Sequence, residues 1–93
     1  MSFEWDEKKR NRNIEIHGVD FQLAAAIFLH PVIETVDNRN HYGETRIEAL
    51  GVINDEYFTI IYTWRNQSRR IISAWKAGRN GKRRYKALFN GRD

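Results

Sequence analysis

The chain has no cysteine, a single proline and a single methionine in 93 residues. Without thiols there is no disulfide framework, no thiolate nucleophile and no zinc site built on sulfur, so core packing has to hold the fold together. Long apolar runs are missing as well. Nothing approaches the roughly 20 residues needed to span a bilayer, and residues 1–10 lack the apolar stretch of a secretory leader, so a cytoplasmic protein is expected. Histidine is scarce, at positions 17, 30 and 41, and no pair has the spacing of metal ligands. A glycine-rich phosphate loop, an HExxH string and a nucleophile elbow are all absent. Neither a metal nor any other cofactor is expected.

What the chain does have is apolar mass and an uneven charge. Its 41% hydrophobic content includes twelve aromatic side chains, which a disordered tail would not carry. A chain of this size builds one core, so residues 1–93 read as a single domain. The net charge of +4 conceals an asymmetry. Residues 1–64 hold six Lys/Arg against eleven Asp/Glu, whereas residues 65–93 hold ten against one. A basic stripe on a folded domain is the footprint of phosphate binding, because each neutralised phosphate releases condensed counterions; a merely solvated surface is the plainer alternative.

The hydrophobic pattern predicts an α+β fold. Residues 2–5 read as a short strand with Phe3 and Trp5 on one face. Asp6 is an N-cap for a helix running to about Ile16, stopped by His17-Gly18. Asp20 caps a second helix whose apolar stripe is Phe21, Ala24, Ala25 and Phe28, and His30-Pro31 ends it. A strand over 32–36 and a polar loop over 37–43 follow. Three strands then come in quick succession, over 46–53, 57–64 and 69–76, the pattern of an antiparallel meander. The middle one, nearly all β-branched or aromatic, is expected to be central and covered on both faces, with Trp64 in the core. A final helix starts near Arg79 or Lys82 and runs to Phe89, with Tyr85, Leu88 and Phe89 buried and Asn90-Gly91 closing it.

Several short strings in this order resemble the BrnT family of bacterial type II toxin-antitoxin modules. They are Phe3-Glu4-Trp5-Asp6, the helix ending Lys9/Asn13/His17-Gly18-Val19, Phe21 with Ala24-Ala25, Gly43-Glu44 with Arg46, Gly51, and Arg70-Ile71-Ile72-Ser73-Ala74 followed by Arg83 and Tyr85. The resemblance covers roughly residues 3–85. It implies a RelE-like fold, with two N-terminal helices and a C-terminal helix around a small, mainly antiparallel sheet. It also implies a ribonuclease that blocks translation and is neutralised by a ribbon-helix-helix, BrnA-like antitoxin, with a heterotetramer as the assembly. The chain departs from the family pattern at Trp75, Gly78 and Gly81, where arginine, threonine and glutamate are usual. Two rival readings therefore stand beside the nuclease: a binding module that has lost catalysis, and a ParE-type toxin of a protein target.

A metal-free ribonuclease needs a base for the ribose 2′-hydroxyl, cations for the phosphate and an acid for the leaving oxygen. The candidate cations are Arg70 and Lys76, six apart and so expected on one sheet face, with Arg79 and Arg83 on one stripe of the last helix with Lys86, the whole set expected to form one phosphate cradle. Lys9, His17 and Tyr85 are candidates for proton transfer or positioning, Lys9 and His17 lying with Asn13 on a stripe of period four. Arg69, Lys82 and Lys86 are candidate RNA contacts. Trp75, expected to be exposed, is a candidate base-stacking group. The plainer alternatives are a solvated basic helix, and a His17 that only closes its own helix. His30 reads as structural and His41 as a loop residue with no supporting spacing.

Overall fold

A computed structural model of the chain describes residues 1–39 and 43–89. Its elements are β1 (Phe3–Glu4), α1 (Glu7–His17), α2 (Phe21–Ala24) prolonged by a 3-10 segment (Ala25–Leu29), β2 (Ile33–Asp37), β3 (Arg46–Ile53), β4 (Glu56–Arg65), β5 (Ser68–Lys76) and α3 (Gly78–Phe89). The sheet has the order β1-β5-β4-β3-β2. All neighbours are antiparallel except β1, which pairs in parallel with β5, so this is an α+β fold on a mixed sheet. His41 and the stop expected at Asn90-Gly91 lie outside the described residues. No helix among the described residues is long and apolar enough to cross a membrane.

The caps behave as their chemistry dictates. The Asp6 carboxylate accepts from the amides of Lys8 and Lys9 at 2.8 and 3.4 Å, and Gly18 ends α1 in the left-handed region at φ 70°. Asp20 caps α2 and takes the Arg10 guanidinium on both oxygens, at 2.8 and 2.9 Å, which holds its carboxyl below the ordinary range. The second helix differs from expectation in winding as 3-10 from Ala25, yet it still delivers Ile27 and Phe28 to the sheet. The last helix starts at Gly78, one residue before the earlier of its two expected starts.

One sheet face carries the core. Ala49, Phe58, Ile60, Tyr62, Ile71 and Ala74 pack against Val19, Phe21, Ala24 and Ile27, each at most 2% exposed. Gly51 permits this closeness: a Cβ there would fall 2.6 Å from the Cβ of Ile27. The opposite face presents Leu50, Thr59 and Ile61, all buried, and α3 lies on part of it through Gly81 and Tyr85. Strand β4 is therefore central and covered on both faces, as its composition predicts. Two expectations about the core fail. Trp64 is 49% exposed, because it sits where β4 runs beyond the helices, and Leu88 and Phe89 are exposed because α3 buries mainly Gly81 and Tyr85.

The register of β4 against β5 holds the most consequential detail. Ile61 pairs with Ser73 and Tyr62 with Ile71, so Ile72 is an extra residue, a β-bulge. Alternation restarts there, which is how Ile71 and Ala74, three apart, both reach the core at 1% and 0% exposure. Beyond the bulge Lys76 shares the core-side parity of Ala74, while Arg70 shares the opposite parity with Thr63. The expectation that Arg70 and Lys76 point to one face is thus overturned. A six-residue spacing implies one face only in an uninterrupted strand.

Candidate functional site

Strand β1 pairs only with Arg69 and Arg70, so the outer edge of β5 is open from Ile71 onward. Helix α1 fills the gap, and Asn13 is the fastening. Its Nδ2 donates to the carbonyls of Ala74 and Val19, both at 2.8 Å, and its Oδ1 accepts from the Ala74 amide at 3.2 Å. The side-chain amide thereby does for Ala74 what a neighbouring strand would do. At 6% exposure Asn13 belongs to the interior, and Lys9 and His17, one turn to either side, ride along the strand edge.

Four hollows follow this edge in file. The first, of 230 Å³, is lined by Lys9, Glu44, Arg46, Thr63, Arg65, Arg70, Ile71 and Ile72. The next lies between Lys9, Arg12, His17, Ile72 and Ser73. A third, of 610 Å³, is bounded by Ile16, His17, Arg39, Trp75 and Lys76. The fourth joins Lys76 to Arg79 and Lys82 at the start of α3, beside Glu56 and Tyr57. Adjacent hollows share a residue, Lys9, then His17, then Lys76, so they form one line along about 20 Å of strand, six steps of roughly 3.3 Å.

Paired and unpaired cations are interspersed along this line. Arg70 is paired with Glu4 at 2.9 Å, Arg46 with Glu44 at 2.9 Å and Lys76 with Glu56 at 3.2 Å. Lys9, Arg12 and Arg65 form no ion pair among the described residues and are exposed. Excess positive charge on a concave strip attracts a polyanion, and no carboxylate approaches His17 within ion-pair distance among the described residues. The His17 and Trp75 rings stand 6.0 Å apart at 41°. No group of three His, Asp or Glu side chains among the described residues could hold a metal ion.

The residues singled out in the sequence divide into three groups. Lys9, His17, Arg70, Trp75, Lys76, Arg79 and Lys82 all line the file of hollows, but as a succession and not as the single phosphate cradle expected for Arg70, Lys76, Arg79 and Arg83. The bulge at Ile72 and the intervening length of strand separate them. Trp75 is half-buried, with its ring against His17, not fully exposed as expected. Arg83 and Lys86 are exposed on α3 and line none of these hollows; it is Arg84 that reaches the sheet, 3.7 Å from Glu48.

Tyr85 and Arg69 face elsewhere. The Tyr85 ring is 7% exposed between Tyr57 and Phe89, its hydroxyl donates to the Pro31 carbonyl at 2.7 Å, and burial pushes its phenol up. Arg69 has the parity of the core face. Its guanidinium lies 4.3 Å from the centroid of Phe28, 4.6 Å from Trp64 and 5.3 Å from Tyr62, a cation-π stack away from the hollows. Sequence reasoning passed over Arg12 and Arg65, and gave no role to Arg46. The signal for Arg12 was available in Asn13: a polar residue buried mid-helix fixes which neighbours overhang the strand.

The family described as "Ribonuclease toxin, BrnT, of type II toxin-antitoxin system" matches residues 5–81. The crystal structure of the Brucella abortus ribonuclease toxin, BrnT, superimposes with a TM-score of 0.64 at 29% identity, covering 85% of this chain and 99% of that one. A search of curated protein sequences gives no match. With the family pattern running through α1, strands β2 to β5 and the start of α3, the chain belongs to the BrnT ribonuclease toxins of type II toxin-antitoxin systems.

Proposed function

We propose that the chain acts as a metal-independent endoribonuclease of RelE-like fold, a single domain working in the cytoplasm, which cleaves RNA along the β5 edge and so stops translation. The observation that carries this reading is the line of cations with His17 at its middle. Metal-independent cleavage of RNA is a transesterification that begins with attack of the 2′-oxygen on the adjacent phosphorus. The O2′–P bond forms and the P–O5′ bond breaks, while the proton lost by the 2′-hydroxyl is balanced by one gained at the 5′-oxygen. His17 accepts the first proton in this reading, and the ammonium of Lys9 supplies the second and neutralises the phosphate together with Arg70, Arg46 and Arg65. Lys76, Arg79 and Lys82 hold the strand further along.

The partner in this reading is a ribbon-helix-helix antitoxin that lays an acidic segment on the same line, in a heterotetramer. Electrostatic complementarity to exposed Lys9, Arg12 and Arg65 supports it. Purified protein should cut RNA to discrete products in excess chelator, and His17→Ala should abolish the products while the protein stays folded. Intact RNA at high protein concentration would reject the enzymatic assignment. A second reading, binding without cleavage, draws on the burial of Tyr85 and on the ion pairs that occupy Arg70 and Lys76. Harmless expression of the chain without its antitoxin, with the complex still forming, would favour it.

A further inference from the structure

Between the cations of the line lies one stretch whose chemistry is aromatic. Trp75 and His17 meet there at 6.0 Å, with Arg39 and Lys76 lining the same hollow and Lys9 the adjoining one. Phosphates alone give no reason for an indole at this place, since a cationic strip would bind them better without it. We propose that Trp75 is the floor of a nucleobase slot, with His17 as its rim, so that the substrate is an RNA strand with one base turned out of any helix. This rests on the nuclease reading for the identity of the polymer, and adds the conformation it must have and the residue that selects it.

The dimensions decide how the base sits. Two stacking gaps of about 3.5–4.0 Å need ~7 Å or more between flanking rings, so a base does not enter between His17 and Trp75 at 6.0 Å. It lies instead on the open side of the indole, in the 610 Å³ hollow, with the imidazole at its edge near the attached ribose. Paired bases are stacked inside A-form RNA and cannot reach such a floor, whereas an unpaired base can be splayed out onto it. The floor is also held still. Trp75 directly follows Ala74, whose amide and carbonyl are both bound by Asn13, the same residue that fixes the turn of α1 carrying His17.

The test uses equilibrium binding of a short 2′-O-methyl RNA, whose blocked 2′-oxygen prevents cleavage, so that binding is read alone. Trp75→Ala should weaken binding of the unpaired probe roughly 5- to 150-fold, the range of ~1–3 kcal/mol per stacked base. Trp75→Phe should recover most of it, which also controls for folding. Annealing the probe to its complement should weaken the wild-type protein and erase its advantage over Trp75→Ala. Equal binding by wild type and Trp75→Ala, or no preference for the unpaired probe, overturns the slot. The two proposals fail separately: Trp75-dependent binding without cleavage of unmodified RNA sinks only the nuclease, and cleavage indifferent to Trp75 sinks only the slot.

Discussion

Arg69 and Arg70 are neighbours in β5 with opposite surroundings. Arg69 points to the core face, where Phe28, Tyr62 and Trp64 surround its guanidinium and its Nε is buried without a hydrogen-bond partner. Arg70 points to the other face, into a polar hollow with Lys9, Arg46 and Arg65, and its ion pair with Glu4 is partly exposed. The count of cations in the C-terminal third therefore says little about how many reach a common ligand. Parity within the strand, reset once at Ile72, assigns one guanidinium to stability and the next to the surface. The whole molecule divides in the same way, into an anchored apolar face and an edge where α1 overhangs open strand.

The largest expected effect breaks the join between those two regions. Asn13→Ala leaves the amide and carbonyl of Ala74 and the carbonyl of Val19 without their partner. Buried groups left unpaired cost ~1–3 kcal/mol each before relaxation and water entry, so a loss of about 3 kcal/mol in urea unfolding is expected. RNA affinity of the folded fraction should fall too, because Lys9 and His17 lose their anchor. Gly51→Ala strikes the core face alone. Its new Cβ would meet the Cβ of Ile27, which cannot swing aside, and overpacking of this kind costs ~1–3 kcal/mol. RNA affinity of the folded fraction should be unchanged; a parallel loss of affinity would show that the two regions are not separable.

A smaller effect separates the two arginines directly. Arg70→Ala should weaken RNA binding about tenfold and lower the salt slope by about one counterion, with a stability change under ~1 kcal/mol for a partly exposed pair. Arg69→Ala should do the reverse, lowering stability by ~1–2 kcal/mol through the lost cation-π stack and leaving RNA binding and its salt slope alone. Filter binding across a salt series, beside urea titrations of both variants, distinguishes them. Matching salt slopes for the two variants would contradict the assignment of faces.

Much of this was legible in the sequence, and the parts that were not have a common cause. Asp6, Gly18, Asp20 and Pro31 mark element ends through local chemistry, and β-branched density marks β4 as central, so order and type of elements follow from the residues. The cation cradle did not follow, because the extra residue in β5 leaves no mark in Arg70-Ile71-Ile72-Ser73-Ala74, where either isoleucine could face the core. Nor did the fate of Trp64, a large aromatic in a regular element that only the reach of the covering helices leaves half exposed. The burial of Tyr85 did follow from the apolar side of the last helix, though not the seal of its hydroxyl against Pro31. Lys9 and His17 were found by their spacing, but what aligns them with β5 is the buried amide between them.

The mildest prediction concerns alkali and the core face. Burial, followed by the hydrogen bond that Tyr62 donates to Glu34, pushes its phenol up to about 12. A group with a raised value in the folded state holds its proton there after the unfolded chain has begun to lose it, near 10. Its contribution to stability is therefore whole below about pH 10 and drains away as pH rises toward 12, because the unfolded state binds fewer protons in that window. Tyr62→Phe should flatten this decline relative to wild type, and the difference between the two urea midpoints should be constant below pH 9 and narrow above 10. Nothing on the β5 edge shares this cause, so RNA affinity of the folded protein should show no matching difference between the two. A difference that widens with pH would mean that Tyr62 is not sheltered, and that the face bearing Arg69 is as open to solvent as the one bearing Arg70.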